Sequence, residues 1–352
     1  MENRELKAIR EAAENDLPIS EEAALYVLRS PAADLPRIFA AASTVRHRYF
    51  GNSVRLCSIL SAQSGACSED CAFCAQASCH NTETQTAPLC SKEAMIEAFD
   101  TAAELPVTHF GVVTSGCALS EDGVERVCSA VRQHKHPRVS WCGSLGCLEY
   151  DQLCVLKASG LKRFHHNLET AQSFFPQICT THSWEMRLET VRMARKAGLE
   201  VCCGGIFGLG ESIEQRVEFA LTLAREAIDS IPLNFLIPIP GTRLEKMEIM
   251  KPLDILRTVS MFRLTNPSAE VKVCAGRVHL GDLQSMIFHA GANSMMIGPL
   301  LTVAGRNVEQ DLQMLQDLEA ETEDGGQRTE YGGQRTEDRG QRAGETGVEH
   351  AF

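Results

Sequence analysis

The 352-residue chain lacks any apolar run near the roughly 20 residues that a membrane span requires, so no membrane partner is expected. Its first stretch, MENRELKAIREAAEND, lacks the apolar centre of a secretion signal and is charged and helical in character. This leads to the expectation of a cytoplasmic protein. Surplus positive charge is lacking too. The formal net charge is −12, which argues against a general electrostatic role on nucleic acid or on an anionic membrane. Without an export signal, a disulfide framework is not expected either, although the chain carries 15 cysteines. Metal binding, redox chemistry or burial as small hydrophobes remain for them.

What is present is an alternation of short apolar runs with helical stretches. Residues 1–50 read as a helical extension, in which Ser20 opens SEEAALYVLRS as an N-cap and Pro36 and Gly51 bracket the next helix. Strands are then expected at 54–60, 107–114, 138–144, 162–168, 200–207, 231–238, 270–275 and 294–298. Helices are expected between them at 91–104, 120–134, 149–158, 183–197, 211–227, 252–265 and 282–290. Ser91 and Ser183 read as N-caps, and Gly160, Gly198 and Gly291 fall where helices should end. Eight strand–helix units over residues 51–320 fit an α/β fold of the (β/α)8 TIM-type barrel class, with a doubly wound open sheet as the alternative. From 321 to 352 the chain repeats GGQRTE and holds almost no apolar side chains, so it is read as a disordered tail.

The chemistry concentrates in GACSEDCAFCAQAS, where Cys67, Cys71 and Cys74 are spaced C-x3-C-x2-C directly after the first strand. Three thiolates hold three irons of a [4Fe-4S] cluster, or three positions of a zinc completed by His80 or Cys79. No second cysteine pair of the usual zinc spacing occurs, and the loop falls at the strand end where barrel sites are built. Downstream, GGIFGLGES (204–212) is a Gly-rich strand end opening a helix, which brings backbone N–H groups close to a ligand. Alone, that segment is equally an ordinary strand-to-helix turn. His165 and His166, adjacent on a strand, point to opposite faces and make a poor chelate.

The cysteine loop, with Phe73 before its last cysteine, resembles the signature of radical S-adenosylmethionine enzymes. The resemblance implies that the open iron binds S-adenosylmethionine. It also implies that Gly208, Gly210 and Glu211 in GLGE, and Ile239 in IPIPGT, lie along that cofactor. Within this superfamily, HHNLET (165–170), EVCCGGIFGLGE (200–211), IPLNFLIPIPGT (231–242) and VCAGR (273–277) are together similar to the biotin synthase family. Related enzymes of hydrogenase maturation or methylornithine synthesis share the first loop. A scaffold protein with an iron–sulfur or zinc site is the alternative outside catalysis.

The family resemblance implies sulfur insertion between C6 and C9 of dethiobiotin. Asn167 and Glu169 would contact cofactor ribose and substrate, at a place where the family usually has Asp instead of Glu169. Asn234 would meet the ureido ring. The family carries an auxiliary [2Fe-2S] cluster on three cysteines and one arginine. Cys142, Cys202 and Arg277 match three of these positions, and the fourth reads Gly111. Cys274 is the expected substitute ligand, giving a four-iron cluster on Cys142, Cys202 and Cys274 whose open iron holds an added sulfide. Arg277 is then expected as a neighbour or hydrogen-bond donor. A flavodoxin or ferredoxin electron donor, a sulfur-supplying iron–sulfur assembly system and a homodimer complete the implied partners.

Overall fold

The computed structural model describes residues 4–298 and 307–323. The chain begins with α1 (Arg4–Glu14), α2 (Glu21–Arg29) and α3 (Leu35–Phe50). Ser20 caps α2 by accepting the Ala23 N–H at 3.1 Å. The apolar faces of α1 and α3 (Leu6, Ile9, Ile38, Val45) are buried in one continuous core with the barrel's outer helices.

Eight sheet positions follow. They are β1 (Ser53–Gln63), β2 (His109–Thr114), β3 (Ser140–Ser144), β4 (Arg163–His165), β5 (Glu200–Cys202) continued by β6 (Gly205–Phe207), β7 (Ser230–Phe235), β8 (Glu270–Val273) and β9 (Ser294–Met296). Every neighbouring pair is parallel, and β1 pairs with β9 through Arg55↔Ser294, Leu56↔Met295 and Cys57↔Met296. That last pairing closes the sheet and excludes the open doubly wound alternative.

Outside lie α4 (Lys92–Ala103), α5 (Glu121–Gln133), α6 (Tyr150–Ser159), α7 (Trp184–Lys196), α8 (Ile213–Arg225), α9 (Pro252–Thr265) and the short α10 (Met286–His289). Ser91 and Ser183 cap α4 and α7 as expected, accepting from Ala94 and Met186. Gly160 ends α6 at φ 107°, a conformation that costs an L-side chain strain but glycine none. Between helices and barrel, Phe207, Phe219 and Phe262 pack with ring centroids 5.3–6.2 Å apart.

α11 (Val308–Asp317) packs beside the barrel, and β10 (Glu321–Thr322) pairs parallel with Ser53 and Val54 of β1. Residues 321–323, expected in the tail, are ordered against the barrel: Glu321 and Thr322 add a strand, and Glu323 accepts from Arg55 Nε at 2.7 Å. Residues 324–352, with the GGQRTE repeats, lie outside the described residues. Among the described residues no helix is long and apolar enough to cross a membrane.

Candidate active site and metal centres

The cysteine loop leaves β1 at the C-terminal rim of the barrel. Gly65 (φ 67°) lets the backbone turn against Thr86, where an added Cβ would sit 2.6 Å from Oγ1. Cys67 N–H donates to Gln76 O and Ser78 N–H donates to Cys67 O, so the loop closes on itself. A second segment straps it down. Asp70 accepts from Thr180 N at 2.8 Å and Thr180 Oγ1 at 2.7 Å. Its slight burial opposes ionisation, but these bonds outweigh that and hold the carboxyl below its usual range.

Cys67, Cys71 and Cys74 all line one cavity of about 360 Å³ at the barrel mouth. Phe73, Asn167, Glu169, Asn234 and Ile239 line the same cavity. Among the described residues the one group tight enough for a single ion is Cys71, Cys179 and His182. Cys67 and Cys74 do not join Cys79 or His80 around one point, and Cys79 is exposed. Three thiols spread wider than one zinc accepts, facing one cavity, fit a multi-iron cluster and not the zinc alternative. Cys179 was not anticipated. Its Sγ lies 3.9 Å from that of Cys71 and 3.3 Å from His182 Nδ1.

Asn167 and Glu169 meet at the cavity wall. Asn167 Oδ1 accepts from Gly204 N at 3.1 Å, and its Nδ2 donates to Glu169 at 3.3 Å. Glu169 stands at φ 68°, a strained position for a side chain. Its carbonyl accepts from Ile206 N at 2.8 Å, and an added Cβ at Gly205 would come within 2.1 Å of that oxygen. Arg187 reaches both the Asn167 carbonyl (2.8 Å) and the Glu169 carboxylate (3.5 Å). The pair of glycines at 204–205 thus serves close backbone approach. Asn234 spans two strand ends: its Nδ2 donates to Gly205 O and its Oδ1 accepts from Ala275 N, both at 3.1 Å.

The GLGE segment lies outside this cavity's lining: Gly208, Gly210 and Glu211 are not among its residues. Glu211 is buried and turned into its own loop, accepting from Gly208 N (2.9 Å), Leu209 N (2.8 Å) and Arg216 Nε (2.7 Å). Its carboxylate fixes the turn and is fully engaged there.

Deeper in the barrel a chamber of about 40 Å³ is lined by Cys57, Cys142, Cys202, Cys274, Arg163, His165 and Lys272. Ile59, Val113, Ser144, His165 and Met296 line both it and the upper cavity, so the two spaces meet. Burial opposes a thiolate at Cys202, but His165 and Lys272 outweigh it and bring the thiol down to about 6. At Cys142 burial wins over Arg163 and Lys272 and pushes the thiol up to about 12. Cys203 points away and is buried in the outer core, as strand alternation requires.

Arg277 is corrected. It does not line the chamber. The backbone leaves β8 at Val273, turns through Gly276 (φ 79°), and carries Arg277 to the side. There its guanidinium grips Asp311 of α11 at 2.8 and 2.6 Å and Gln284 at 2.9 Å. The cation that does face the chamber from this strand is Lys272, on the same face as Cys274 two residues on. No bulge is needed to aim Cys274 inward.

Residues 63–223 match the model of the radical SAM superfamily, and residues 232–321 match that of the Biotin and Thiamin Synthesis associated domain. The biotin synthase of Maridesulfovibrio salexigens is 51% identical over 319 residues, covering 90% of this chain and 98% of that protein. The chain belongs to the biotin synthase family. The family's enzyme from Geotalea uraniireducens is 44% identical, over 90% of this chain and 97% of its own. In fold, the chain is similar to a solved methylornithine synthase (TM-score 0.77, 19% identity, covering 90% of this chain and 97% of that one). It is also similar to the FeFe-hydrogenase maturase HydG from Carboxydothermus hydrogenoformans (TM-score 0.73, 15% identity, 91% and 79% covered). At these identities the likeness concerns the barrel alone. Membership of the biotin synthase family implies a [4Fe-4S] cluster and S-adenosylmethionine, and the donor set at Cys67, Cys71 and Cys74 fits that cluster.

Proposed function

We propose that this protein is a biotin synthase, an enzyme that inserts sulfur between C6 and C9 of dethiobiotin. The observation that carries the reading is the stacking of two multi-cysteine sites in one barrel, one at the mouth and one in the interior, joined by shared walls. Cys67, Cys71 and Cys74 hold the [4Fe-4S] cluster, which leaves one iron for S-adenosylmethionine. Cys142, Cys202 and Cys274 hold an auxiliary iron–sulfur cluster in the deep chamber. When bound, the first cluster and its cofactor supply a 5′-deoxyadenosyl radical for each of two C–H bonds, and the second cluster supplies the sulfur.

The chain's own residues bind and aim the reactants. Glu169 and Asn167, fixed by Arg187 and by Gly204, present a carboxylate and an amide to the cavity for sugar hydroxyls. Asn234 lines the mouth cavity and offers its remaining amide capacity to a cyclic urea. Phe73 and Ile239 give apolar wall on the cofactor's side. Enclosure matters because a carbon-centred reaction at unactivated C–H bonds must be kept from water and from side reactions. A low-potential flavodoxin or ferredoxin, an iron–sulfur assembly system that restores the auxiliary cluster, a cytoplasmic location and a homodimer complete the proposal.

The test is an anaerobic single-turnover reaction with reductant, S-adenosylmethionine and dethiobiotin, read by mass spectrometry. Biotin together with 5′-deoxyadenosine and methionine is the expected result. 5′-Deoxyadenosine without biotin or a thiolated intermediate would refute the assigned substrate.

A further inference from the structure

The deep chamber holds one thiol more than the family pattern assigns. Cys57 is buried on β1, with Arg55 and Ile59 on the same strand face. The missing position, Gly111, lies on the next strand opposite Ile59. A side chain added at Gly111 would bring its Cβ to 3.2 Å from Ile59 Cγ2, so the space a β2 ligand needs is already narrowed. Cys57 sits one inward step below Ile59 and faces the open chamber.

The four chamber cysteines come from β1, β3, the end of β5 and the end of β8, which are every second position around the closed sheet. Their heights follow from the register. Cys57 pairs with His109, which pairs with Ser140, two residues before Cys142. Cys142 pairs with Arg163, two before His165, which pairs with Cys202. Cys202 pairs with Ser230, two before Pro232, which pairs with Lys272, two before Cys274. Val273 pairs with Met295, which places Cys274 beside Met296, and Met296 pairs with Cys57. The first two steps climb two residues each, the third climbs four and the last none, which sums to the shear of about 8 that closes an eight-stranded barrel. Cys57, Cys142 and Cys202 therefore share one interior layer with Lys272, and Cys274 stands one inward step above Lys272. In such barrels a layer of four side chains from alternate strands is ordinarily filled with Val, Ile or Leu. Here three of the four places are sulfur and the fourth is Lys272, with the Cys274 thiol next above it in the same chamber.

We propose that Cys57, Cys142, Cys202 and Cys274 are together the ligand set of the auxiliary cluster, Cys57 replacing the ligand absent at Gly111. This rests on the reading of the deep chamber as the auxiliary site. Four thiolates satisfy a two-iron or a four-iron cluster without a non-protein ligand. The added sulfide expected for a three-cysteine site then has no iron left to it, and the sulfur transferred is one of the cluster's own.

The experiment uses the full chain reconstituted with iron and sulfide, as wild type, Cys57→Ala, Cys57→Ser and Cys203→Ala, the last being buried but off the layer. Iron and acid-labile sulfide per chain and Mössbauer spectra are recorded with and without S-adenosylmethionine. The cluster whose spectrum responds to the cofactor belongs to the mouth; the other is auxiliary. Both Cys57 variants should lose more than about half of the auxiliary iron, or show a changed auxiliary spectrum, while Cys203→Ala retains it. Circular dichroism and an intact mouth cluster show that the variants are folded. Auxiliary iron and spectrum unchanged in Cys57→Ala overturn the inference and leave the auxiliary-cluster reading standing. Absence of auxiliary iron in the wild type overturns both.

Discussion

Replacing Arg277 should weaken the fold and spare the iron. Its guanidinium meets both oxygens of Asp311 at 2.6 and 2.8 Å, and the two side chains are 7% and 0% exposed. A bidentate pair so far from water is strongly coupled, and removing one partner of a buried pair costs about 3–5 kcal/mol. Asp311 keeps other contacts, which places Arg277→Ala near the lower end, about 3 kcal/mol. With an unfolding entropy of about 2 cal/mol/K per residue, a barrel of roughly 300 residues would lose about 5 °C in Tm. Arg277→Ala and Asp311→Asn should each show that loss by anaerobic thermal circular dichroism. The double variant should cost much less than their sum, because both remove the same interaction. Auxiliary iron per chain should stay at the wild-type level in all three. Loss of auxiliary iron in Arg277→Ala with Tm unchanged would refute this reasoning and return the arginine to the cluster.

Glu211→Ala should cost about 1–3 kcal/mol of stability, since it strips a buried carboxylate from two backbone N–H groups and Arg216; chemical denaturation measures it. Asn234→Ala should cost a similar amount by leaving Ala275 N–H without its acceptor, and should lower kcat/KM for dethiobiotin in the biotin-forming assay. Glu270 governs an acid limb. Burial opposes its charge, but Lys272, Arg163 and Arg55 outweigh it and hold its carboxyl well below the ordinary value. Its contribution is thus complete above the unfolded carboxyl pKa of about 4.3, and is lost as pH falls from there through the lower folded value. Glu270→Gln should therefore be less stable at neutral pH and lose less stability between about pH 4.5 and 3, read by urea midpoints across that range. Cys67→Ala should abolish formation of 5′-deoxyadenosine while leaving iron in the deep chamber, read by product analysis beside iron per chain.

Much of this was legible in short-range pattern. Ser20, Ser91 and Ser183 announce helix starts because a hydroxyl can reach an N–H three residues on. Eight apolar runs gave eight barrel positions, and the C-x3-C-x2-C spacing marked the mouth site. Arg277 failed because its role is set by a partner 34 residues away, and Gly276 swings it out of the strand that its motif suggests. Strand alternation already carried the better answer: Glu270, Lys272 and Cys274 share a face, as do Arg55, Cys57 and Ile59. Cys57 has no counterpart in the family pattern, so the resemblance does not mark it. Glu211 bonds backbone in its own turn, a use that the GLGE motif does not distinguish from contact with a ligand.

Beneath Cys274, Arg163 bonds Glu270 at 3.0 Å and Glu200 at 3.2 Å, Lys272 reaches Glu270 at 3.2 Å, and Arg55 ties Glu270 to Glu323 beside β10. Among the described residues these interlocked charges fill the barrel's lower end, opposite the cavity at the mouth. On the function proposed above, iron and sulfide for the inner cluster pass the rim that carries Cys67, Cys71 and Cys74, and the inner site fills first. On the same proposal, repair of the inner cluster and entry of substrate compete for that rim.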